Sequence, residues 1–141
     1  MPLAECLSFG SIGITPLVQT SFLELSSDTT TTSTAYVDLI TVSMFTMGGI
    51  CLVTFSVGAV NSSANTNVRF QLTLDGVVQR GTKFRQDAGA GSAGSLCYRT
   101  APAAGAHTFK IQWSVSAGTG RIRAATVNEE HAALLIEEIA R

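Results

Sequence analysis

From Leu39 to Val68 the chain runs for 30 residues without one charged side chain. Such a run either crosses a bilayer, which takes about 20 predominantly apolar residues in a helix, or is folded into a domain that covers it. Its contents argue against the helix. Gly48, Gly49 and Gly58 interrupt it, Thr46, Thr54 and Ser56 are spread through it, and Asn61-Ser62-Ser63 closes its apolar part. Within ICLVTFSVG, Val53, Phe55 and Val57 share one parity, and Thr54, Ser56 and Gly58 the other. A period of two marks a half-buried strand, because successive strand side chains point to opposite faces. β-Branched and aromatic residues favour the same conformation. The run therefore reads as two strands with a turn at Gly48-Gly49, in a soluble protein without a membrane partner.

The rest of the chain repeats that pattern at short spacing. LVQTSFLEL (Leu17 to Leu25) is a strand followed by the hydroxyl-rich loop SSDTTTTST, and AYVDLITV (Ala35 to Val42) enters the uncharged run. NSSANT is a turn of Asn and Ser, whose side chains bond their own backbone. In NVRFQLTL, Val68, Phe70, Leu72 and Leu74 face one way and Arg69, Gln71 and Thr73 the other. Asp75-Gly76 supplies the positive φ angles of a tight hairpin that returns through VVQRGTKF. GTKFRQDAGAGSAG starts as a strand and ends as a Gly/Ala loop; SLCYRTA is a short strand and APAAG the next turn. HTFKIQWSV alternates strictly, with Phe109, Ile111, Trp113 and Val115 inward, and Gly118 and Gly120 bracket a turn into RIRAATV.

The last segment, NEEHAALLIEEIAR, supports two readings. Asn128 is a helix cap, Glu129 and Glu130 suit a first turn, and Ala132, Leu135, Ile136 and Ile139 fall at helical spacing. The same residues also alternate as a strand, and a sheet that lacks one strand can override local propensity. Eight or nine short strands with turns every 8 to 12 residues describe an all-β sandwich, and an eight-stranded jelly roll fits the count. The expected organisation is an N-terminal extended arm, residues 1–16, and a jelly-roll domain, residues 17–141. Pro2, Gly10, Gly13 and Pro16 punctuate the arm, whose Leu3, Leu7, Phe9, Ile12 and Ile14 are apolar without a steady period.

Charged residues make up 13% of the chain, about half the usual share for a soluble domain. Hydroxyls and small side chains replace them, and weakly charged surface of that kind invites association. The net charge of −1 gives no electrostatic footprint for nucleic acid, although eight basic residues between Arg69 and Arg123 face only Asp75 and Asp87 in sequence. Glu5 stands where a signal peptide carries positive charge, so synthesis in a reducing cytoplasm is expected. Cys6, Cys51 and Cys97 are odd in number and lack CxxC spacing, which indicates neither a disulfide framework nor a zinc site, and Cys51 and Cys97, in strand-like runs, read as small buried hydrophobes. His107 and His131 have no metal-ligand spacing, and GAGSAG lacks the Lys-Ser/Thr of a phosphate loop. Glu129-Glu130 and Glu137-Glu138 are adjacent pairs, which a strand splits between its faces. No catalytic residue, metal ligand or cofactor site is expected, and the chain reads as a non-enzyme.

The order of an uncharged strand, NVRFQLTLDG with its hairpin, GAHTFKIQWSVSAGTGRIRA and a closing HAALLIEEI resembles the compact jelly rolls of the tumour-necrosis-factor and complement-C1q type. That pattern is shared by trimeric head decoration (cement) proteins of tailed phages. The likeness covers about Ala35 to Ile139 and rests on strand and turn patterns. It implies that the final segment is a strand of the inner sheet and that three copies pack around a threefold axis. Ile50 and Leu52, opposite in parity to Val53 and Phe55, are then candidates for the trimer interface, together with Tyr36 and Tyr98. The function implied is a structural virion protein, bound to the major capsid protein on the capsid surface. The arm residues Leu3, Leu7, Phe9, Ile12 and Ile14 are its candidate contacts. The alternative is a receptor- or carbohydrate-binding module of a tail fibre or a bacterial surface.

Overall fold

The computed structural model of the chain describes residues 17–123 and 131–140. Its strands are β1 (Leu17–Glu24), β2 (Thr29–Thr31), β3 (Val37–Met47), β4 (Ile50–Ser62), β5 (Thr66–Leu74), β6 (Val77–Gln86), β7 (Gly91–Thr100), β8 (Ala104–Val115), β9 (Gly120–Ile122) and β10 (Ala132–Ile139). There is no helix among the described residues.

The strands form two antiparallel sheets. The first places β1, β10, β4 and β7 side by side. The second has the order β3, β8, β5, β6. Among the eight long strands, β5 and β6 alone are sequence neighbours within one sheet; every other connection crosses between sheets. Two four-stranded layers wound in this way make a double Greek key, the jelly roll. The fold class expected from the sequence holds, but the strand count is ten rather than eight. The two added strands are three residues each. β10 occupies one side of β4 only from Ile50 to Val57, and β9 then takes up the backbone of Val60 to Ser62, with β2 on its far side.

The uncharged run from Leu39 to Val68 becomes β3, β4 and the start of β5. Ile40, Val42, Met44, Cys51, Val53, Phe55, Val57 and Val60 from this run are buried between the sheets, and Thr41, Ser43, Thr54 and Ser56 face outward. The outward half of the run mixes these hydroxyls with exposed apolar side chains, Phe45, Met47 and Leu52, while Thr46 is buried. The turn at Gly48-Gly49 carries the chain from one sheet to the other, with Gly48 at φ 84°. At the centre of the core, the Phe70 ring of β5 lies 5.1 Å from Phe55 of β4 and 6.4 Å from Trp113 of β8. The Phe70–Phe55 contact links the two layers, the Phe70–Trp113 contact lies within one sheet, and each fully buried side chain of this size contributes about 1.5–3 kcal/mol.

The C-terminal segment is a strand. β10 lies between β1 and β4 and shares ladders with both, so every second residue, Ala132, Leu134, Ile136 and Glu138, is fully buried. As a helix it would leave the ladder edges of β1 and β4 unpaired, a cost that exceeds local propensity. The GAGSAG loop is corrected as well. Gly91 to Gly94 extend β7 along β4, with an irregularity between Val57 and Val60. RIRAATV is a strand only to Ile122, and Ala124 to Val127 lie outside the described residues.

Candidate functional site

The register of β1, β10, β4 and β7 assembles the outer face of the six-stranded sheet. Its rows read Phe22, Leu135, Thr54, Cys97, then Thr20, Glu137, Leu52, Arg99, then Glu24, Ala133, Ser56, Ser95. Phe22 is 58% exposed and Leu52 37%, with Leu17 exposed at the start of β1. Small side chains on β4 and β7 leave two shallow depressions in this face. One, of about 400 Å³, is lined by Ser56, Gly58, Ala93, Ser95 and His131 among others; the second, of about 340 Å³, includes Leu52, Thr54, Cys97 and Arg99. Neither gathers the convergent polar groups that a catalytic centre needs.

Of the interface residues expected from the sequence, Ile50 and Leu52 share this face. Tyr98 does not: it lies opposite Val53, packs against the core, and its hydroxyl sits 3.4 Å from Gln79 Oε1. Leu96 and Tyr98 have the same parity, a signal that could have placed Tyr98 inward and Cys97 outward with Ser95 and Arg99. The expected burial of the strand cysteines holds for Cys51 and is corrected for Cys97, which is exposed because its parity in β7 is outward. Tyr36 precedes β3 in the other sheet and stands beside Arg69, whose guanidinium carbon is 5.7 Å from its ring centroid. The arm residues Leu3, Leu7, Phe9, Ile12 and Ile14 lie outside the described residues.

Glu138, Cys51, Asp75 and His107 lie at one end of the sandwich, where the β3–β4 and β5–β6 turns meet the start of β8. Glu138, with no exposed surface, accepts hydrogen bonds from the backbone N–H of Gly49 at 2.7 Å, from that of Met47 at 2.8 Å, and from Gln19 Nε2 at 2.5 Å. Burial pushes its carboxyl pKa up, but these donors outweigh that effect and hold it below the usual value. Cys51, opposite Glu138 in the ladder, has its thiol pushed up to about 11 by burial and then by the Glu138 charge. Such a thiol is inert at neutral pH. His107 Nδ1 lies 2.7 Å from Asp75 and its Nε2 2.9 Å from the Ala103 carbonyl. The Asp75 hydrogen bond, followed by the one to Ala103, raises the His107 pKa. Asp75 in turn is lowered by the Thr108 N–H and then by His107. Each of these groups is engaged in holding turns together. No three His, Cys, Asp or Glu side chains are grouped as metal ligands among the described residues.

No protein-family model matches the chain, and no curated protein is similar to it in sequence. Solved structures share its fold. A chain of infectious bursal disease virus, Gx strain, superposes with a TM-score of 0.51 at 11% identity, over 87% of this chain and 37% of the viral one. Dimeric latent PorU from Porphyromonas gingivalis gives 0.50 at 12% identity, over 88% of this chain and 13% of PorU. The CBM36-1 domain of a multidomain xylanase from the hindgut metagenome of Trinervitermes trinervoides gives 0.47 at 10% identity, over 84% and 96% of the two chains. The chain thus spans only a small part of PorU and little more than a third of the viral chain. At such identities the likeness establishes the sandwich fold alone.

Proposed function

We propose that the protein is a structural virion component, a decoration (cement) protein that binds the exterior of a phage capsid as a homotrimer and stabilises the shell. The observation that carries this reading is the outer face of the β1-β10-β4-β7 sheet, where Phe22, Leu52 and Leu135 stand among mostly hydroxyl and small side chains, with Glu24, Glu137 and Arg99 as the charges in these rows. A weakly charged face of this extent gains stability when a second copy covers it. The resemblance to trimeric jelly rolls of the tumour-necrosis-factor type points to the same sheet. Residues 1–16 then supply the contact with the major capsid protein, which would place the protein on the capsid surface after assembly in the host cytoplasm. The role is mechanical, without catalysis or a cofactor.

Light scattering on the full chain tests the assembly. A mass of three chains is expected; a single-chain mass leaves a monomeric receptor- or carbohydrate-binding module or a decoration protein that trimerises only on the capsid. Cosedimentation with capsids tests the partner: binding is expected for the full chain and its loss after removal of residues 1–16. Undiminished binding by the truncated chain would remove the arm from the contact.

A further inference from the structure

The outer face of the four-stranded sheet breaks two local rules at one place. Arg69 on β5 and Lys83 on β6 are directly opposite each other in the ladder. Like charges in that arrangement destabilise a sheet. Other cations on this face have acids beside them, Lys110 with Asp38 at 2.6 Å and Arg85 with Asp87 at 3.6 Å. Arg69 and Lys83 have none among the described residues. Arg69 donates through Nη2 to the Thr34 carbonyl at 2.9 Å, and its Nε is buried without an acceptor.

The second rule is broken at Gly81. It lies in the interior of β6, where glycine costs about 0.5–1 kcal/mol relative to alanine. Its φ is not in the left-handed region, and an added Cβ would meet only the Phe70 carbonyl oxygen at 3.4 Å and Gln71 Cβ at 4.0 Å. Neither backbone nor packing requires the glycine. A glycine in a strand interior often marks a bulge or the close approach of a ligand, and Gly81 lies next to the irregularity of the β5–β6 ladder between Leu72 and Thr73. Here the missing side chain opens a shallow cavity of about 230 Å³, lined by Tyr36, Arg69, Gly81, Thr82 and Lys83.

We propose that this notch binds one carboxylate-bearing sugar unit of an acidic glycan. Two facing cations supply the charge for one carboxylate, and Arg69 is already held in place by the Thr34 carbonyl and the Tyr36 ring. Tyr36 is 37% exposed and offers an aromatic wall to the C–H face of a sugar ring. The cavity is smaller than the roughly 300–1,000 Å³ of pockets for drug-sized ligands, which suits one ring. A bare anion would need neither the wall nor the glycine floor, and an acidic peptide would need a longer groove. The notch is on the sheet opposite the proposed subunit contact, so it stays open in the trimer and does not depend on that reading.

Isothermal titration of the full chain with 3′-sialyllactose and trigalacturonate, beside lactose and trigalactose, tests the proposal. An acidic sugar should bind and its neutral counterpart should not. Lys83→Ala and Arg69→Gln should each weaken binding by about tenfold or more, the effect of losing one charge-assisted hydrogen bond. Gly81→Thr should abolish binding while the melting temperature holds or rises. Lys83 is exposed, so its variant separates loss of binding from loss of fold. The proposal is overturned by equal binding of neutral and acidic sugars or by no binding of either acid. Sulfate binding as tightly as the sugar, an acidic peptide binding tighter, or wild-type affinity in the three variants would also overturn it.

Discussion

The buried Glu138 carboxylate accepts the backbone N–H of Gly49 at 2.7 Å across 89 residues of sequence. Through this bond the last strand holds the turn where the chain changes sheets. The Met47 N–H and Gln19 Nε2 end on the same carboxylate, so its removal leaves buried donors without acceptors. Glu138→Ala should cost about 3 kcal/mol or more, because a hydrogen bond to a charged group is lost and unsatisfied donors remain. Glu138→Gln keeps one acceptor oxygen and should cost less. Urea unfolding of the two variants, compared at equal slope, measures the difference; equal stability would show that the turn does not depend on the charge.

Two glycines at the same end of the sandwich should respond differently to alanine. A Cβ on Gly49 would sit 2.3 Å from the Ile139 carbonyl oxygen and 2.9 Å from Glu138 Oε1, so the turn must move away from β10. Gly49→Ala should destabilise by about 3 kcal/mol, the upper part of the range for overpacking. Gly76, at φ 81°, has nothing within 4 Å of such a Cβ. Gly76→Ala carries only the left-handed backbone penalty, about 1 kcal/mol. Melting temperatures of the two variants should rank in that order.

Stability should depend on pH from both sides. The folded His107 pKa is raised above 6.5 by Asp75 and the Ala103 carbonyl. Its contribution is therefore fully present below pH 6.5 and lost as pH rises through the folded value. Both ring nitrogens face acceptors, and only the imidazolium donates to both. Asp75, Asp38 and Glu138 have lowered pKa values, so their contributions are present above the ordinary carboxylate range and lost as pH falls through the folded values. Asp38 is lowered by its hydrogen bonds from Lys110 and Gln112. A melting-temperature profile should fall as pH rises above 6.5, and His107→Asn should flatten that limb; the acid limb should remain, reduced by the share that His107 contributes to lowering Asp75. An unchanged alkaline limb would remove His107 from the account.

Features set by local pattern were readable before the fold was known. Asp75 and Gly76 adopt φ angles of 50° and 81°, as the hairpin chemistry of that pair requires, and β8 buries Phe109, Ile111, Trp113 and Val115 as its alternation indicates. The strand form of Ala132 to Ile139 followed from resemblance, since the local residues equally support a helix. What escaped depends on distant partners. Nothing in IEEI tells that Glu138, beside the partly exposed Glu137, meets two backbone N–H groups of a turn far upstream. The strand character of Gly91 to Gly94 comes from the β4 ladder rather than from their own propensity. The notch at Gly81 escaped for a similar reason: Tyr36, Arg69 and Lys83 are joined only by the sheet.

The subunit contact proposed for the six-stranded sheet can be separated from core packing because strand parity divides the two. Leu52 is 37% exposed and faces away from its buried neighbours Cys51 and Val53. Its row continues with Glu137 on β10 and Arg99 on β7. Leu52→Asp therefore leaves the core intact and should change the stability of an isolated chain by no more than about 0.5 kcal/mol. If three copies bury this face, each new carboxylate must lose its water beside Glu137, and the single Arg99 of its row offsets only part of a desolvation cost on the order of several kcal/mol. The expected result is a shift from the mass of three chains to that of one, with an unchanged circular dichroism spectrum and a lower melting temperature. Retention of the three-chain mass would move the contact to another surface.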